Sequence, residues 1–294
     1  MTDYQYVDTP AMLTALVSGF RDSGTVSLAM DFEEESNLHV YGEHLCLIQL
    51  SDGSNFYVID ALALSKSEEG RLALKDLLEG PEEKIMFDCS SDAAIVRKAL
   101  KIQLRNIYDL RLAAKALGFM GNLSSLIERN LGISPENPAD KKKFQKANWM
   151  KRPLSGEQLA YALDDVRYLF ELKASLEKEM AQKLSPAVRK QLASNMKNCA
   201  RPRHRDKPGW EKICNYHALS QEEKIYIRCF FNARDSIARE RNVPPGNILD
   251  KHKIVQMAHA GTWEGILDGD SLQYRKNFER ARLEAQGYIT RVNN

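Results

Sequence analysis

The segment Val26-Ser-Leu-Ala-Met-Asp-Phe-Glu33 alternates large apolar side chains with small or acidic ones. This period of two predicts a β-strand, because successive side chains along a strand point to opposite faces of the sheet. Asp31 and Glu33 then share one face with Ser27 and Ala29, and the larger apolar side chains turn to the other face, into the core. The segment therefore predicts a strand that displays two carboxylates on one face.

Two more strands are predicted directly after this segment. Cys46–Leu50 and Phe56–Ile59 are apolar, and the turn-forming residues 52–55 between them predict an antiparallel hairpin. Short strands and helices then alternate along the chain: a helix over 68–79, a strand over 84–87, a helix through Leu100, a strand over 106–108 and a helix from residue 110. This order of elements indicates an α/β fold with a mixed sheet flanked by helices.

Helices dominate the rest of the sequence. Ser155 and Gln158 have the spacing of a capping box, which predicts a long helix through about Met180, and Ser185-Pro186 predicts the start of the next helix. Two prolines, a glycine and five basic residues between 196 and 209 predict a linker. Beyond it, a capping box at 220–223 opens a helix to about residue 241, and shorter helices are predicted over 250–259, 262–267 and 272–285. We therefore expect a domain over 1–195, a basic linker over 196–209 and an all-α domain over 210–294.

Two carboxylates on one strand face supply half of a divalent-cation site. Asp31 and Glu33 lie ~7 Å apart along a strand, beside small residues that leave room for a ligand. Hard cations such as Mg²⁺ bind carboxylate oxygens. Glu34 and Glu35 follow directly, so the alternative is an acidic strand end without a ligand.

Two later segments supply further candidates. Asp92 precedes the apolar stripe of the predicted helix through residue 100, where it either caps the helix or serves a ligand, and Asp88 is its rival at the end of the preceding strand. Tyr161 and Asp165 are four residues apart on a predicted helix, so the phenol and the carboxylate share one surface. Asp164 points about 100° away from them. In isolation, each pattern also fits an ordinary helix.

The order Asp-x-Glu, then Asp, then Tyr-x-x-x-Asp resembles the three exonuclease motifs of the DEDD superfamily, tyrosine subgroup. More specifically, residues 25–175 resemble the ribonuclease D family. The most specific match comprises Trp149-Met-Lys-Arg-Pro-Leu-Ser155, Gln158, Tyr161-Ala162 and Asp165-Val166-x-Tyr168-Leu169. Phe32 stands where that family usually has threonine and Phe87 where it usually has histidine, and the second departure leaves the choice between Asp92 and Asp88 open.

The resemblance implies a ribonuclease H-like α/β fold and a two-metal-ion mechanism. Two divalent cations, Mg²⁺ or Mn²⁺, would be held by Asp31, Glu33, Asp92 and Asp165, with Asp31 bridging them. Tyr161 would orient the attacking water as a neutral hydrogen-bonding group. The implied reaction is hydrolysis of the last phosphodiester at the 3′ end of tRNA precursors or other structured RNA, with release of nucleoside 5′-monophosphates.

The C-terminal part resembles an HRDC domain, the helical unit that follows ribonuclease D and RecQ-type helicase cores. The matching stretch is Phe231-x-x-Arg234-x-x-x-Ala238-x-x-x-Asn242-x-Pro244-x-x-x-Ile248-Leu249, followed by Ile254 and Ala258. The resemblance implies a small helical bundle that adds sequence-independent grip on nucleic acid or docks a protein partner.

Charge is divided unevenly along the chain. The first 100 residues carry 7 Lys and Arg against 18 Asp and Glu, whereas the whole chain carries 42 against 40. The basic remainder favours a polyanionic partner such as nucleic acid. Just before the third motif, we expect four basic residues to contact backbone phosphates: Lys142, Lys143, Lys146 and Arg152. The alternative for the lysine run is a solvated loop.

Length and composition bound the remaining choices. A chain of 294 residues with 43% hydrophobic residues is long enough for two domains with cores. No stretch approaches ~20 uninterrupted apolar residues, so no membrane-spanning helix is predicted, and the acidic N-terminus lacks the pattern of a secretory signal. Five scattered cysteines suit a reducing compartment, so we expect a cytoplasmic protein.

The expected partner is RNA, bound at a single-stranded 3′ end. A 3′→5′ DNA exonuclease acting in repair is the alternative enzyme, because nothing in the carboxylate set reads the 2′-hydroxyl of ribose. A nucleic-acid-binding scaffold without turnover is the alternative that is not an enzyme.

Overall fold

The computed structural model describes residues 3–134, 143–202, 207–213 and 215–293. The chain divides into two compact units. The first unit comprises residues up to Glu35 together with Glu43–Pro202, and the second comprises Ser36–Gly42 together with residues 203–294. The first unit therefore extends beyond residue 195 into the segment predicted as a linker. The second unit includes a short loop from early in the chain, which the sequence did not indicate.

The first unit is built on a mixed sheet, as predicted. Among the described residues, its strands are β1 (Gln5–Val7), β2 (Ser27–Ser36), β3 (Glu43–Ser51), β4 (Phe56–Ile59), β5 (Glu83–Met86) and β6 (Ile107–Asp109). Their order across the sheet is β1-β4-β3-β2-β5-β6. β3 and β4 form the predicted antiparallel hairpin, whereas β1 and β4, β2 and β5, and β5 and β6 are parallel pairs. The strand with the two carboxylates thus lies inside the sheet.

The helices of the first unit agree with the sequence in most places. They are α1 (Pro10–Asp22), α2 (Ala61–Leu64), α3 (Glu68–Glu79), α4 (Ser90–Leu100), α5 (Leu110–Ala116), α6 (Leu123–Leu131), α7 (Gly156–Arg167), α8 (Leu169–Lys183) and α9 (Pro186–Asn198). The predicted capping box at Ser155 and Gln158 is present. The long helix predicted to follow it is wrong, because the backbone of Tyr168 (φ −111°, ψ 10°) interrupts it between α7 and α8.

The sheet has a core on each face, which confirms the period-two prediction for β2. Leu28, Met30 and Phe32 lie in a cluster with apolar residues of α1, α3 and α4. Ala29 lies on the opposite face, in a cluster with residues of α5, α7 and α8. Because Asp31 and Glu33 alternate in phase with Ala29, they face the side of the sheet that α7 and α8 cover.

The helical part of the second unit contains α10 (Gln221–Arg241), α11 (Pro245–Ile248), α12 (Lys251–Ala260) and α13 (Arg275–Asn293). Ser220 and Glu223 form the predicted capping box of α10, and Asn242 ends that helix in the left-handed region with φ 51°. The helix predicted over 262–267 is wrong, since these residues form turns. The last predicted helix begins as a 3₁₀ turn over Gly269–Tyr274 and continues as α13.

The loop Ser36–Gly42 belongs to the second unit through Tyr41. The Tyr41 ring packs against the apolar cluster of this unit, and its hydroxyl donates a hydrogen bond to Asp235 Oδ2 at 2.6 Å. Arg239 donates to the same hydroxyl at 2.9 Å and lies over the ring at 5.3 Å. These contacts attach the loop to α10.

Within the described residues, none of the helices combines the length and the hydrophobicity that crossing a bilayer requires.

Candidate active site

The site begins on β2, where Asp31 and Glu33 point to the same face of the sheet. Both side chains are half-buried. The neighbouring in-phase residue, Ala29, is fully buried, so the two carboxylates stand at the edge of a packed surface. A central strand offers little freedom of movement, and the sheet therefore fixes the position of both groups.

Asp92 reaches the same region from the neighbouring strand β5. β2 and β5 are parallel, with Ala29 opposite Ile85, so β5 ends at Met86 beside the residue that precedes Asp31. The chain then turns into α4, and Asp92 lies in the first turn of that helix. The parallel register thus brings the start of α4 to the level at which β2 presents its carboxylates.

Asp109 holds the turn between β5 and α4. This residue ends β6 and caps α5 by accepting the backbone N–H groups of Arg111 and Leu112. Its carboxylate also accepts the N–H groups of Asp88 at 3.1 Å and Cys89 at 3.2 Å. Local sequence patterns could not predict the bonds to Asp88 and Cys89, because these residues follow a different strand, 21 and 20 positions earlier in the chain.

Asp88, the rival of Asp92, has a different partner. Its backbone is left-handed, with φ 61°, and its carboxylate forms an ion pair with Arg111. Asp92 instead contributes to the negative field at Asp31 and Glu33. The ion pair of Asp88 and the charge effect of Asp92 on Asp31 and Glu33 favour Asp92 as the member of the carboxylate group.

The third element is α7, which carries Tyr161 and Asp165 one helical turn apart. Both are half-buried, and the Tyr161 ring lies 5.3 Å from the Phe144 ring and 6.4 Å from the Trp149 ring. Asp164 is exposed and accepts a hydrogen bond from Arg167 at 2.8 Å. The structure therefore separates Asp165 from Asp164 as the helical period predicts.

The carboxylates of the three elements lie near enough to raise one another's pKa values. Burial raises the pKa of Asp31 well above its ordinary value, and the charges of Asp165, Asp92 and Glu33 raise it further. The pKa of Glu33 is raised in the same way, by burial and then by Asp165 and Asp92. Like charges held this close repel one another, because each favours the neutral form of its neighbour.

Tyr161 shares this field. Burial raises the pKa of its hydroxyl, and the charges of Asp165, Glu33 and Asp31 raise it further. The hydroxyl therefore keeps its proton at neutral pH and offers a hydrogen bond rather than a base.

The donor set fits divalent cations. Four half-buried carboxylates from β2, α4 and α7 lie within electrostatic reach of one another, and a bound cation would relieve their mutual repulsion. Oxygen ligands are those that Mg²⁺ and Mn²⁺ prefer. Asp31, Glu33, Asp92 and Asp165 are the residues that would hold such ions.

The basic residues predicted to contact phosphates have different surroundings. Lys142 lies outside the described residues. Lys143 is exposed, donates to Glu157 at 2.9 Å and lies 4.7 Å from the centre of the Phe144 ring. Lys146 is exposed.

The structure does not support the predicted phosphate contact of Arg152, because its guanidinium is hydrogen-bonded within the protein. Two of its nitrogens donate to the two carboxylate oxygens of Asp60, at 2.6 and 2.9 Å. The remaining N–H groups donate to the backbone carbonyls of Trp149, Lys151 and Cys46 at 2.7 to 2.9 Å. A guanidinium has five N–H donors, and these five bonds use them all. Arg152 therefore connects the segment before α7 to the sheet and has no donor left for a phosphate.

The amino-acid sequence matches a protein-family model described as a 3′-5′ exonuclease over residues 4–181. It is also similar to ribonuclease D from Desulfotalea psychrophila, with 27% identity over 264 residues that cover 88% of this chain and 67% of the relative. The chain spans 57% to 67% of the length of four ribonuclease D relatives from different bacteria.

Two solved structures share the fold. The catalytic core of RRP6 from Trypanosoma brucei has a TM-score of 0.75 at 19% identity, over 99% of this chain and 80% of that one. The exoribonuclease RNase D of Escherichia coli has a TM-score of 0.74 at 22% identity, over 97% of this chain and 76% of that one. Because the coverage is nearly complete, the shared fold includes the helices of the second unit.

Proposed function

Because this chain belongs to the 3′-5′ exonuclease family, we propose that it is a 3′→5′ exoribonuclease of the ribonuclease D type. Its substrates would be single-stranded 3′ ends of tRNA precursors or other structured RNA, and its products nucleoside 5′-monophosphates. The observation that carries the proposal is the electrostatic influence of Asp31, Glu33, Asp92, Asp165 and Tyr161 on one another, from three elements of the fold. The same odd set of scattered cysteines that suits a reducing compartment supports a cytoplasmic location.

The carboxylates would bind the cations on which the DEDD exonucleases depend. We propose two ions, Mg²⁺ or Mn²⁺, with Asp31 as the shared ligand and Glu33, Asp92 and Asp165 completing the two sites. Such ions lower the pKa of a bound water and neutralise the charge that develops on phosphoryl oxygens. β2 holds two of the ligands rigidly, whereas α4 and α7 each contribute one.

Tyr161 would position the attacking water. Its raised pKa keeps the phenol protonated, so it acts as a hydrogen-bonding group and not as a general base. The rings of Phe144 and Trp149 support the Tyr161 ring and would fix the direction in which the hydroxyl points.

The substrate would be held by its backbone phosphates. Lys146, exposed close before α7 in the sequence, and Lys143 remain the described candidates for this contact. Phosphate contacts position a strand without reading its sequence, which suits an enzyme that removes one nucleotide after another.

We also propose that the second unit is an HRDC-like domain. Several residues that carry the resemblance form part of the core of this unit. Ala238, Ile248 and Ile254 lie in its apolar cluster. Arg234 is 2% exposed and lies over the Phe231 ring at 4.5 Å. The domain would add a salt-sensitive grip on the RNA.

The test is digestion of a 5′-labelled single-stranded RNA and of the matching DNA, each with Mg²⁺, with Mn²⁺ and with EDTA. We expect a ladder of RNA products that shortens stepwise from the 3′ end, nucleoside 5′-monophosphates as the released product, and no digestion in EDTA. A 3′-phosphate should slow the reaction, because the proposed site grips the free chain end.

Asp31→Asn removes the proposed shared ligand and should abolish digestion while the protein stays folded. The matched control is Asp164→Asn, which changes an exposed carboxylate beside Asp165 and should digest RNA at the wild-type rate. Wild-type digestion by Asp31→Asn would contradict the assignment of the site. Preferential digestion of DNA would identify the alternative enzyme.

A further inference from the structure

Two cysteines meet where the end of α9 lies against the start of α4. Cys89 is the residue before α4 and is fully buried, whereas Cys199 follows α9 and is partly exposed. The Sγ atoms of both residues and one carboxylate oxygen of Asp109 lie within 4.8 Å of one another. Both thiols are free. The pair lies outside the carboxylate group and has no part in the proposed exonuclease reaction.

Contacts other than the thiols hold the two segments together. Arg97 on α4 donates hydrogen bonds to the carbonyls of Ala93 and Ala200, both at 3.3 Å. Gln103 donates to the same Ala200 carbonyl at 3.4 Å. The Ala200 side chain is 8% exposed and packs in the core cluster that also contains Cys89. The thiols are therefore kept close by a built contact between α4 and the segment that follows α9.

The chemistry of this trio suits a dithiol better than a metal site. The Asp109 carboxylate already accepts four backbone N–H groups, those of residues 88, 89, 111 and 112. A structural zinc site needs four ligands in a tetrahedral arrangement. With Asp109 committed to the backbone, the trio offers only two sulfur atoms.

We propose that Cys89 and Cys199 are a reversible oxidation site, which low-molecular-weight disulfides such as oxidised glutathione convert into an intramolecular disulfide. The exposure of the two residues sets the order of the reaction. Cys199 is reached by the reagent first, and the buried Cys89 completes the exchange.

Each step is an ordinary thiol–disulfide exchange. The Cys199 thiolate attacks one sulfur of the reagent, breaks its S–S bond and expels one glutathione thiolate. Cys89 then transfers its proton to the expelled thiolate and attacks Cys199 Sγ, and the second glutathione leaves as a thiolate that takes up the proton of Cys199. Two protein thiols are oxidised to one disulfide, and one reagent disulfide is reduced to two thiols.

The local electrostatics agree with this order. The neighbouring Cys89 thiol lowers the pKa of Cys199, whereas the Cys199 thiol together with burial raises the pKa of Cys89. The thiolate, not the thiol, is the nucleophile in such exchanges, so the accessible sulfur is also the more reactive one.

The disulfide would fasten the end of α9 to the start of α4. Its S–S bond is about 2.05 Å long, so one of the two segments must approach the other. The backbone of Cys89 is held by Asp109, and we therefore expect the segment around Cys199 to move. Asp92 stays in place, and exonuclease activity should be the same in the reduced and oxidised forms.

The test uses the full-length protein and oxidised glutathione. After alkylation of the remaining thiols and proteolysis, mass spectrometry should find a peptide pair joined through Cys89 and Cys199, which dithiothreitol separates. Cys199→Ser should lack it, and Cys46→Ser and Cys229→Ser, matched changes of other cysteines, should keep it. In Cys89→Ala, Cys199 should stop at the mixed disulfide and retain one glutathione.

A second measurement is thermal unfolding of the wild type before and after oxidation. The disulfide would close the long loop between Cys89 and Cys199, which should raise the Tm of the first unit by about 5–15 °C. Wild-type protein that keeps both thiols, or that stops at the glutathione adduct of Cys199, would overturn the proposal. So would protection of both thiols from alkylation by Zn²⁺ in the wild type, because that result assigns the pair as metal ligands.

Discussion

Asp92 is a carboxylate of the candidate site with a pKa raised to near neutral pH. Burial, followed by the charges of Glu34, Asp88 and Asp109, raises its pKa to about 7, from 3.8 for the unperturbed group. Between these two pH values the native protein keeps a proton that the unfolded chain has lost. The free energy of unfolding therefore decreases as the pH rises through this window and levels off above about pH 7.

This sign gives a testable pH dependence. In EDTA, the wild type should lose stability between pH 5 and pH 7.5 relative to Asp92→Asn, by on the order of 1–3 kcal/mol, because asparagine has no charge to bury. Mn²⁺ should raise the wild-type Tm more at pH 7.5 than at pH 5. Calorimetry of both proteins at the two pH values measures the difference, and parallel pH profiles would contradict it.

Arg152 and Lys146 allow a second comparison between single residues. Arg152→Lys removes the paired bonds to Asp60 and most of the carbonyl contacts, so it should lower the free energy of unfolding by about 2–4 kcal/mol. It should not alter the dependence of RNA affinity on salt, because no donor of Arg152 is left for the strand. Urea unfolding and RNA titrations at several salt concentrations provide both quantities.

Lys146→Ala should behave in the opposite way. Its stability should stay within about 0.5 kcal/mol of the wild type, and the slope of log affinity against log salt should decrease by about 0.7 for one lost phosphate contact on a single strand. Equal salt slopes for Lys146→Ala and the wild type would remove Lys146 from the proposed RNA-binding surface.

At the scale of residues, local periodicity predicted which side chains share a face of one strand or helix. Asp31 and Glu33 share a face because strands alternate, and Tyr161 and Asp165 share one because helices repeat in 3.6 residues. The role of Arg152 could not be predicted, because its partner Asp60 lies 92 positions earlier in the chain. A positive charge near a nuclease motif suggested a phosphate contact, and the fold supplied a carboxylate instead.

At the scale of elements, the turn between β5 and α4 decides where Asp92 lies. Asp109→Ala removes the acceptor of four backbone N–H groups and should cost about 2–5 kcal/mol in the free energy of unfolding. It should also weaken Mn²⁺ binding, since Asp92 loses the anchor of its turn. Asp109→Asn keeps one acceptor oxygen and should lose less of both. Thermal unfolding with and without Mn²⁺ separates the two effects. Unchanged Mn²⁺ stabilisation in Asp109→Ala would show that the turn keeps its conformation without the Asp109 carboxylate.

Most elements followed from sequence signals, and the exceptions have physical reasons. The first helix, α1, went unpredicted although Thr9 caps it and Pro10 opens it, which is a recognised signature of a helix start. No glycine or proline marks the break between α7 and α8 in the sequence. We therefore attribute the break to tertiary packing. β1 has three residues and too little sequence to show a period.

At the scale of the whole molecule, the chain passes between the two units three times, after residues 35, 42 and 202. A protein truncated after Pro202 keeps all four carboxylates and Tyr161, and we expect it to release mononucleotides from RNA with a higher KM than the full chain. In the truncated protein Tyr41 also loses Asp235 and Arg239. Chymotrypsin should therefore cleave after Tyr41 much faster than in the full-length chain, and equal cleavage rates would contradict this.

The attachment of Tyr41 to α10 also bears on how the protein is made. Ribosomes add about 5–20 residues per second, so the loop waits on the order of ten seconds or longer before Asp235 and Arg239 have been synthesised. During that delay, the loop that joins β2 to β3 has no partner on α10. The strand that carries Asp31 and Glu33 is thus synthesised well before the helix whose residues hold the loop at its end.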